Sequence, residues 1–287
     1  YITTTFDMAD TDYEREFRKE LQTDGMVASG PFLDIGGSYE TGHTLRELIQ
    51  AQKASVLFES LEPVAEKERE LKLDRPQHQE TAMLKAGKGE NLVITTGTGS
   101  GKTESFLLPI INHLLREQEA GTLSAGVRAI IIYPMNALAN DQMKRMRALF
   151  KNYPQICYGV YNGNTEHTQS KALAEYHRTY HDETGEPTDP APNEIISREV
   201  MQERPPHILI TNYSMLEYMM LRPKDDAVFS GAKLKFIVLD EAHIYKGATG
   251  METSLLMRRL RARISEPDSV QYILTSATLG GPDADGD

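Results

Sequence analysis

The chain has 287 residues, 31 Lys and Arg against 42 Asp and Glu, a formal net charge of −11 and a single cysteine. Its length suits one large domain, or one domain with an extension, and the lone thiol excludes a disulfide framework and fits a reducing cytosol. No apolar run approaches a membrane span and Tyr1-Ile2-Thr3 opens no signal peptide, so the expected setting is cytoplasmic and off the membrane, with residues upstream of a start that lacks Met.

Residues 1–74 read as an N-terminal extension. Within it, 7–21 has the charge of a surface helix, and 45–58 is amphipathic enough to brace a larger body. From 75 to 287 the pattern changes. Strand-like runs at 91–95, 128–133, 156–161, 207–211, 235–240 and 270–275 are separated by helical runs at 102–118, 137–150, 214–221 and 251–264. Such alternation predicts βαβ units, hence an α/β fold with a mainly parallel sheet and helices on both faces. Cys157, inside Ile156-Cys157-Tyr158-Gly159-Val160, reads as a buried structural thiol. The stretch 166–206 breaks the rhythm, and its Gly185-Glu186-Pro187-Thr188-Asp189-Pro190 composition suits an exposed loop insertion. His177 and His181 lie four apart there, but with no Cys nearby they are better read as solvated surface than as metal ligands.

The strongest local signal follows the apolar run Asn91-Leu92-Val93-Ile94. Thr95-Thr96-Gly97-Thr98-Gly99-Ser100-Gly101-Lys102-Thr103 is a glycine-rich turn between a strand and a helix, the context of a phosphate-binding loop. Gly97, Gly99 and Gly101 permit backbone angles that let successive N–H groups point at phosphate oxygens. The next helix offers its positive end to the same anion. Lys102 would reach the β/γ-phosphates and Thr103 would hold Mg²⁺; Thr96 stands where the strict pattern has Gly. ATP and Mg²⁺ are the expected ligands.

A second site pairs with the first. The near-continuous apolar run Lys235-Phe236-Ile237-Val238-Leu239 ends in Asp240-Glu241-Ala242-His243. Asp240, at a strand's carboxyl end, would lie in the crevice where open α/β sheets bind ligands and would serve Mg²⁺. Glu241, one residue on, would orient and deprotonate the attacking water. With Lys102, these two form the expected catalytic set.

These residues resemble the superfamily-two DEAD/DEAH-box helicases and translocases, specifically their first RecA-like lobe. Thr96 through Thr103 resembles motif I and Asp240-Glu241-Ala242-His243 motif II. Arg75-Pro76-Gln77-His78-Gln79 resembles the Q motif, which implies that Gln79 reads the adenine edge. Tyr133-Pro134-Met135-Asn136-Ala137 resembles motif Ia, Gly163 falls in the glycine-containing motif after the third strand, and Thr211-Asn212-Tyr213-Ser214 takes the place of the next strand-contacting motif. Thr275-Ser276-Ala277-Thr278 carries the Ser-Ala-Thr of motif III. The resemblance implies nucleic-acid contacts at Pro134, Asn136, Gly163, Thr211 and Asn212, and coupling of hydrolysis to movement through His243, Ser276 and Thr278. The wording of PMNALANDQ and LDEAHIYKGATG is similar to a bacterial group of large helicases that includes MrfA and the DISARM and Druantia helicases. That narrower likeness implies DNA as the partner, a role in phage defence or repair, further domains, and a protein partner in a defence complex.

The charge of −11 sits awkwardly with a nucleic-acid protein, but helicase lobes grip phosphates largely through main-chain N–H and hydroxyl groups. The basic runs 144–147 and 258–263 read as solvated helix faces, or contacts to missing domains, before base readers. No second-lobe motif is read after Thr278, so the expectation is a lobe that hydrolyses ATP poorly without a partner lobe. An ATP-binding switch without unwinding remains the alternative, although Glu241 and Ser276-Ala277-Thr278 weigh against it.

Overall fold

Strand Ala129–Tyr133 (β2) is apolar and buried at all its positions, which requires a sheet covered on both faces. The computed structural model describes residues 15, 16, 19, 42–61, 77–96, 101–182, 184–264 and 267–276. Residues 1–38 form a separate unit in which 15, 16 and 19 are helical; the rest of the expected 7–21 helix lies outside the described residues. Within the unit 39–287, β2 is joined by Leu92–Thr95 (β1), Tyr158–Val160 (β3), Glu194–Ile195 (β4), Ile208–Asn212 (β5), Phe236–Leu239 (β6) and Gln271–Ser276 (β7). The order is β1-β7-β6-β2-β5-β3-β4, and all of these pairings are parallel.

Period-2 alternation sends neighbouring side chains to opposite faces, and each face has its own core. Ala129, Ile131, Tyr133 and Val238 meet Phe106, Ile110 and Leu114 of helix Lys102–Glu119 (α3) and Phe150 of helix Asn136–Phe150 (α4). Ile130, Ile132 and Ile237 meet Leu216 of Tyr213–Leu221 (α7), Phe229 of Asp226–Phe229 (α8) and Leu260 of Gly247–Arg261 (α9). The α/β layering is the one expected, with strand and helix bounds within a few residues. Helix α9 begins earlier than the sequence pattern indicates because Gly247-Ala248-Thr249-Gly250 carries no apolar periodicity.

The amphipathic run 45–58 is broken in two. Helix Leu45–Gln50 (α1) starts on a capping box: Glu47 N donates to Thr44 Oγ1 (3.3 Å) and Thr44 N to Glu47 Oε2 (2.7 Å). Gln52, at φ 58°, then ends the helix, and a 3-10 turn, Val56–Leu61, seats the buried Phe58. Polar bonds fasten this segment to α3: Ser55 N donates to Asn112 Oδ1 and Arg116 Nη2 to Gln52 O, both at 2.8 Å. Helix Gln77–Gly87 (α2) follows and buries Ala82, Met83 and Ala86.

The stretch 166–206 is more ordered than its composition suggests. It holds helices Gln169–Thr179 (α5) and Arg198–Glu203 (α6) and the edge strand β4, which pairs with β3. Its anchors are polar, which is why hydrophobic periodicity missed them. Asn193 Nδ2 donates to the carbonyls of Phe150, Tyr153 and Ile156 at 3.0–3.1 Å, and Arg147 of α4 forks onto Glu194 at 2.7–3.0 Å. The part around Gly185 is a turn, knotted by Asp182 Oδ1, which accepts from Thr184 N (2.8 Å) and Glu186 N (2.9 Å). Among the described residues no helix is long and apolar enough to cross a membrane.

Candidate nucleotide site and strand-end rim

Parallel strands present all their carboxyl ends at one edge, so sheet order decides which loops become neighbours. Strand β7 lies between β1 and β6; Thr95 pairs with Ser276, and Leu239 with Leu274. The end of β7 is therefore held between the turn after β1 and the Asp240 turn after β6.

On the β1 side, Thr96 leaves the strand, and Gly97, Thr98, Gly99 and Ser100 lie outside the described residues. Gly101 is the N-cap of α3 at φ 80°, a left-handed angle, and a Cβ there would run into the Gln79 side-chain amide. Gln79, buried on α2, donates from Nε2 to Gly101 O (3.2 Å), so the expected adenine reader touches the loop itself. Lys102 and the buried Thr103 open α3. Lys102 Nζ lies 3.7 Å from Glu241 Oε1, bringing together two residues 139 positions apart in sequence.

On the β6 side, Asp240 N extends the sheet by donating to Ile132 O (3.1 Å). Glu241 adopts φ 49° and ψ 50° and starts the 3-10 turn Ala242–Ile244. Thr275 Oγ1 donates to Asp240 Oδ1 and accepts from Glu241 N (3.3 Å). His243 Nδ1 lies 3.1 Å from Ser276 Oγ and 3.2 Å from Glu241 Oε2; Thr278 lies outside the described residues. Burial raises the Asp240 carboxyl above the ordinary range, against the hydrogen bond from Thr275, which lowers it. Burial, with the Asp240 charge second, pushes the Tyr245 phenol up to about 12. The approach of Tyr245 and Thr275 to Asp240 was not read from the sequence, although Thr275 stands directly before Ser276.

These groups fit a magnesium nucleotide. Thr103 and Asp240 are hard oxygen donors, Lys102 supplies a point cation, and Gly101 shapes a turn no side chain can share. His177 Nε2 instead lies 2.7 Å from Asp189 Oδ1, and among the described residues no group of three or more His, Cys, Asp or Glu converges.

The expected nucleic-acid residues fall on the adjacent half of the edge, just after β2 and β3 and at the end of β5, strands that are consecutive in the sheet. Pro134 is half-buried, Met135 exposed, and Asn136 is the first residue of α4. Gly163 has open space where a side chain would be. Thr211 is 2 % exposed and donates to Tyr161 O (2.7 Å), while Asn212 Oδ1 accepts from Met215 N (2.7 Å) and caps α7. Both side chains thus brace the rim from within. The basic runs face carboxylates: Arg145 pairs with Glu104, Arg147 with Glu194, Arg259 with Glu217, Arg261 with Asp268 and Arg263 with Asp226. Cys157 is half-buried, and that burial raises its thiol pKa.

A seven-stranded parallel sheet with a Gly-Lys-Thr turn on one strand and Asp-Glu-Ala-His on a strand two places over is a RecA-like nucleotide-binding lobe. Residues 76–285 match the DEAD/DEAH box helicase family, and the chain belongs to it. It is similar to the Druantia protein DruE of Escherichia coli (strain UMEA 4076-1), 34% identical over 367 residues that cover 98% of this chain and 20% of DruE. To the ATP-dependent helicase HRQ1 of Saccharomyces cerevisiae it is 28% identical over 211 residues, 71% of this chain and 16% of that protein. The crystal structure of the DUF1998 helicase MrfA superposes with a TM-score of 0.54 at 27% identity, covering 79% of this chain and 29% of MrfA. The chain thus spans no more than about a fifth of the length of these two curated relatives.

Proposed function

We propose that this chain is the ATP-binding lobe of an ATP-dependent helicase or translocase that acts on nucleic acid, with DNA as the substrate. The observation that carries the reading is the approach of Lys102 to Glu241, 3.7 Å apart at the crevice between β1 and β6. A triphosphate on the loop would draw Lys102 to its β/γ-oxygens and free the Glu241 carboxylate. Glu241 then orients the attacking water and takes its proton, with His243 beside its second oxygen. Mg²⁺, held by Thr103 and Asp240, supplies charge neutralisation on the phosphate oxygens when bound. Gln79 reads adenine and, through Gly101, ties that recognition to the loop's shape.

Pro134, Asn136, Gly163, Thr211 and Asn212 form the strand-contacting rim, and Ser276 and Thr278 join hydrolysis to movement through His243. In this reading the lobe turns over slowly by itself, because the stabilising arginine of a two-lobed motor, worth about 10³–10⁵ in rate, comes from a second RecA-like lobe. Further domains and a protein partner in a cytoplasmic phage-defence or DNA-repair assembly complete it. Similarity to DruE, named for the Druantia system, favours defence.

The test separates binding from chemistry. Lys102→Ala should abolish binding of Mg·ATP, whereas Glu241→Gln in the full-length protein should bind ATP normally and lose turnover. Affinity from a fluorescent nucleotide and phosphate release give the two readouts. Equal loss of affinity in both variants sinks the assignment of Glu241.

A further inference from the structure

The turn that carries Asp240 and Glu241 is held by Thr275, the hydroxyl directly before Ser276-Ala277-Thr278. We propose that Thr275 is a positioning residue for hydrolysis, one hydroxyl that aims the Asp240 and Glu241 carboxylates at different tasks. The inference rests on the reading of Asp240 as a magnesium ligand and Glu241 as the base.

A threonine hydroxyl has one proton and two lone pairs. Here the proton goes to Asp240 Oδ1 and a lone pair receives Glu241 N–H at 3.3 Å. The two bonds run head to tail, so each polarises the other in the same sense. The first bond orients the Asp240 carboxylate, whose remaining lone pairs can serve a cation. The second secures Glu241 at φ 49° and ψ 50°, an angle that a residue with a Cβ holds only against a steric cost. In that conformation the Glu241 carboxylate turns to Lys102 Nζ (3.7 Å) and His243 Nδ1 (3.2 Å). Thr275 is fully buried, so water does not compete for its hydroxyl, and its branched Cβ restricts the rotamer that makes both bonds. Ser276, pointing to the other face of β7, meets His243 at 3.1 Å. Consecutive residues of β7 thus grip the turn from two sides.

The experiment compares Thr275→Val, which keeps the shape and removes the hydroxyl, with Thr275→Ser, which keeps the hydroxyl, in the full-length protein. Thr275→Val should raise the Mg²⁺ concentration for half-maximal ATPase at least tenfold and lower the maximal rate at least tenfold. Binding of a fluorescent ATP analogue in EDTA should stay within twofold of wild type, while the added affinity that Mg²⁺ confers should shrink. Thr275→Ser should recover most of both effects. If the valine variant does not fold, Thr275→Ala set against Thr275→Ser makes the same comparison. A wild-type Mg²⁺ dependence in the hydroxyl-free variant, or a serine variant as impaired as valine, overturns the proposal. Asp240→Asn is the control: if it shifts the Mg²⁺ dependence and Thr275→Val does not, the role of Thr275 alone fails. If neither shifts it, the metal assignment of Asp240 falls as well.

Discussion

At the scale of single residues, the nucleotide site depends on two backbone positions in the left-handed region, Gly101 at φ 80° and Glu241 at φ 49°. Their causes differ. Gly101 must lack a side chain because Gln79 occupies the space, whereas Glu241 must keep its side chain and is held by Thr275 instead. Gly101→Ala should therefore lose on two counts, angle and space. The substitution should cost about 1–3 kcal/mol of stability, the range for a strained non-glycine angle. Nucleotide affinity should fall in step, because both α3 and the Gln79 contact start at this residue. Urea unfolding and a nucleotide titration measure the two effects; an alanine variant with wild-type stability would show that Gln79 moves aside freely.

At the scale of elements, the sheet's far edge is built from charge and aromatic contacts. Arg147 of α4 forks onto Glu194 of β4, whose side chain is 2 % exposed, and lies 4.2 Å over the Tyr180 ring. Taking one partner from a buried pair strands the other charge, at a cost of about 3–5 kcal/mol. Arg147→Met should fall near the lower figure, since its own side chain is 21 % exposed and water can reach the site. The double change Arg147→Met with Glu194→Gln should recover part of the loss, because no bare carboxylate remains. Denaturant midpoints of the two variants decide this; equal midpoints would mean the pair contributes nothing beyond packing. The same helix reaches the nucleotide side through the Arg145–Glu104 pair, one turn into α3. Helix α4 thus ties the far edge of the sheet to α3.

At the scale of the whole molecule, strand order divides the carboxyl edge. The nucleotide residues sit at the carboxyl ends of β1, β7 and β6, and the proposed nucleic-acid residues at those of β2, β5 and β3. The −11 charge, and among the described residues the pairing of Arg145, Arg147, Arg259, Arg261 and Arg263 with carboxylates, weaken the attraction for phosphate. Single-stranded DNA should bind the lobe weakly and without sequence preference, its log–log salt slope shallower than about −3, because each phosphate pair contributes about 0.7 on single strands. Fluorescence anisotropy across a salt series measures it. A slope as steep as that of a basic DNA-binding domain would point to cations outside the rim.

Much of this was legible in the chain. Buried parallel strands leave unbroken apolar runs, so the six strands anticipated from 91 onward were found, and the Gly-Lys-Thr and Asp-Glu-Ala-His stretches marked the two ends of the site. Strand β4 was not legible, because Asn193 and Glu194 are held by partners some 40 residues away in α4 and the residues that follow it. Nor was the occupation of Thr211 and Asn212 by internal hydrogen bonds, or the pairing of arginines in the basic runs with carboxylates. The role of Thr275 also needed the tertiary structure: its hydroxyl meets Asp240 only because β7 inserts between β1 and β6. Local chemistry and periodicity are written along the chain. The choice of which strand ends become neighbours is made by the packing of the whole sheet, and the hydrogen bonds of the site follow from that choice.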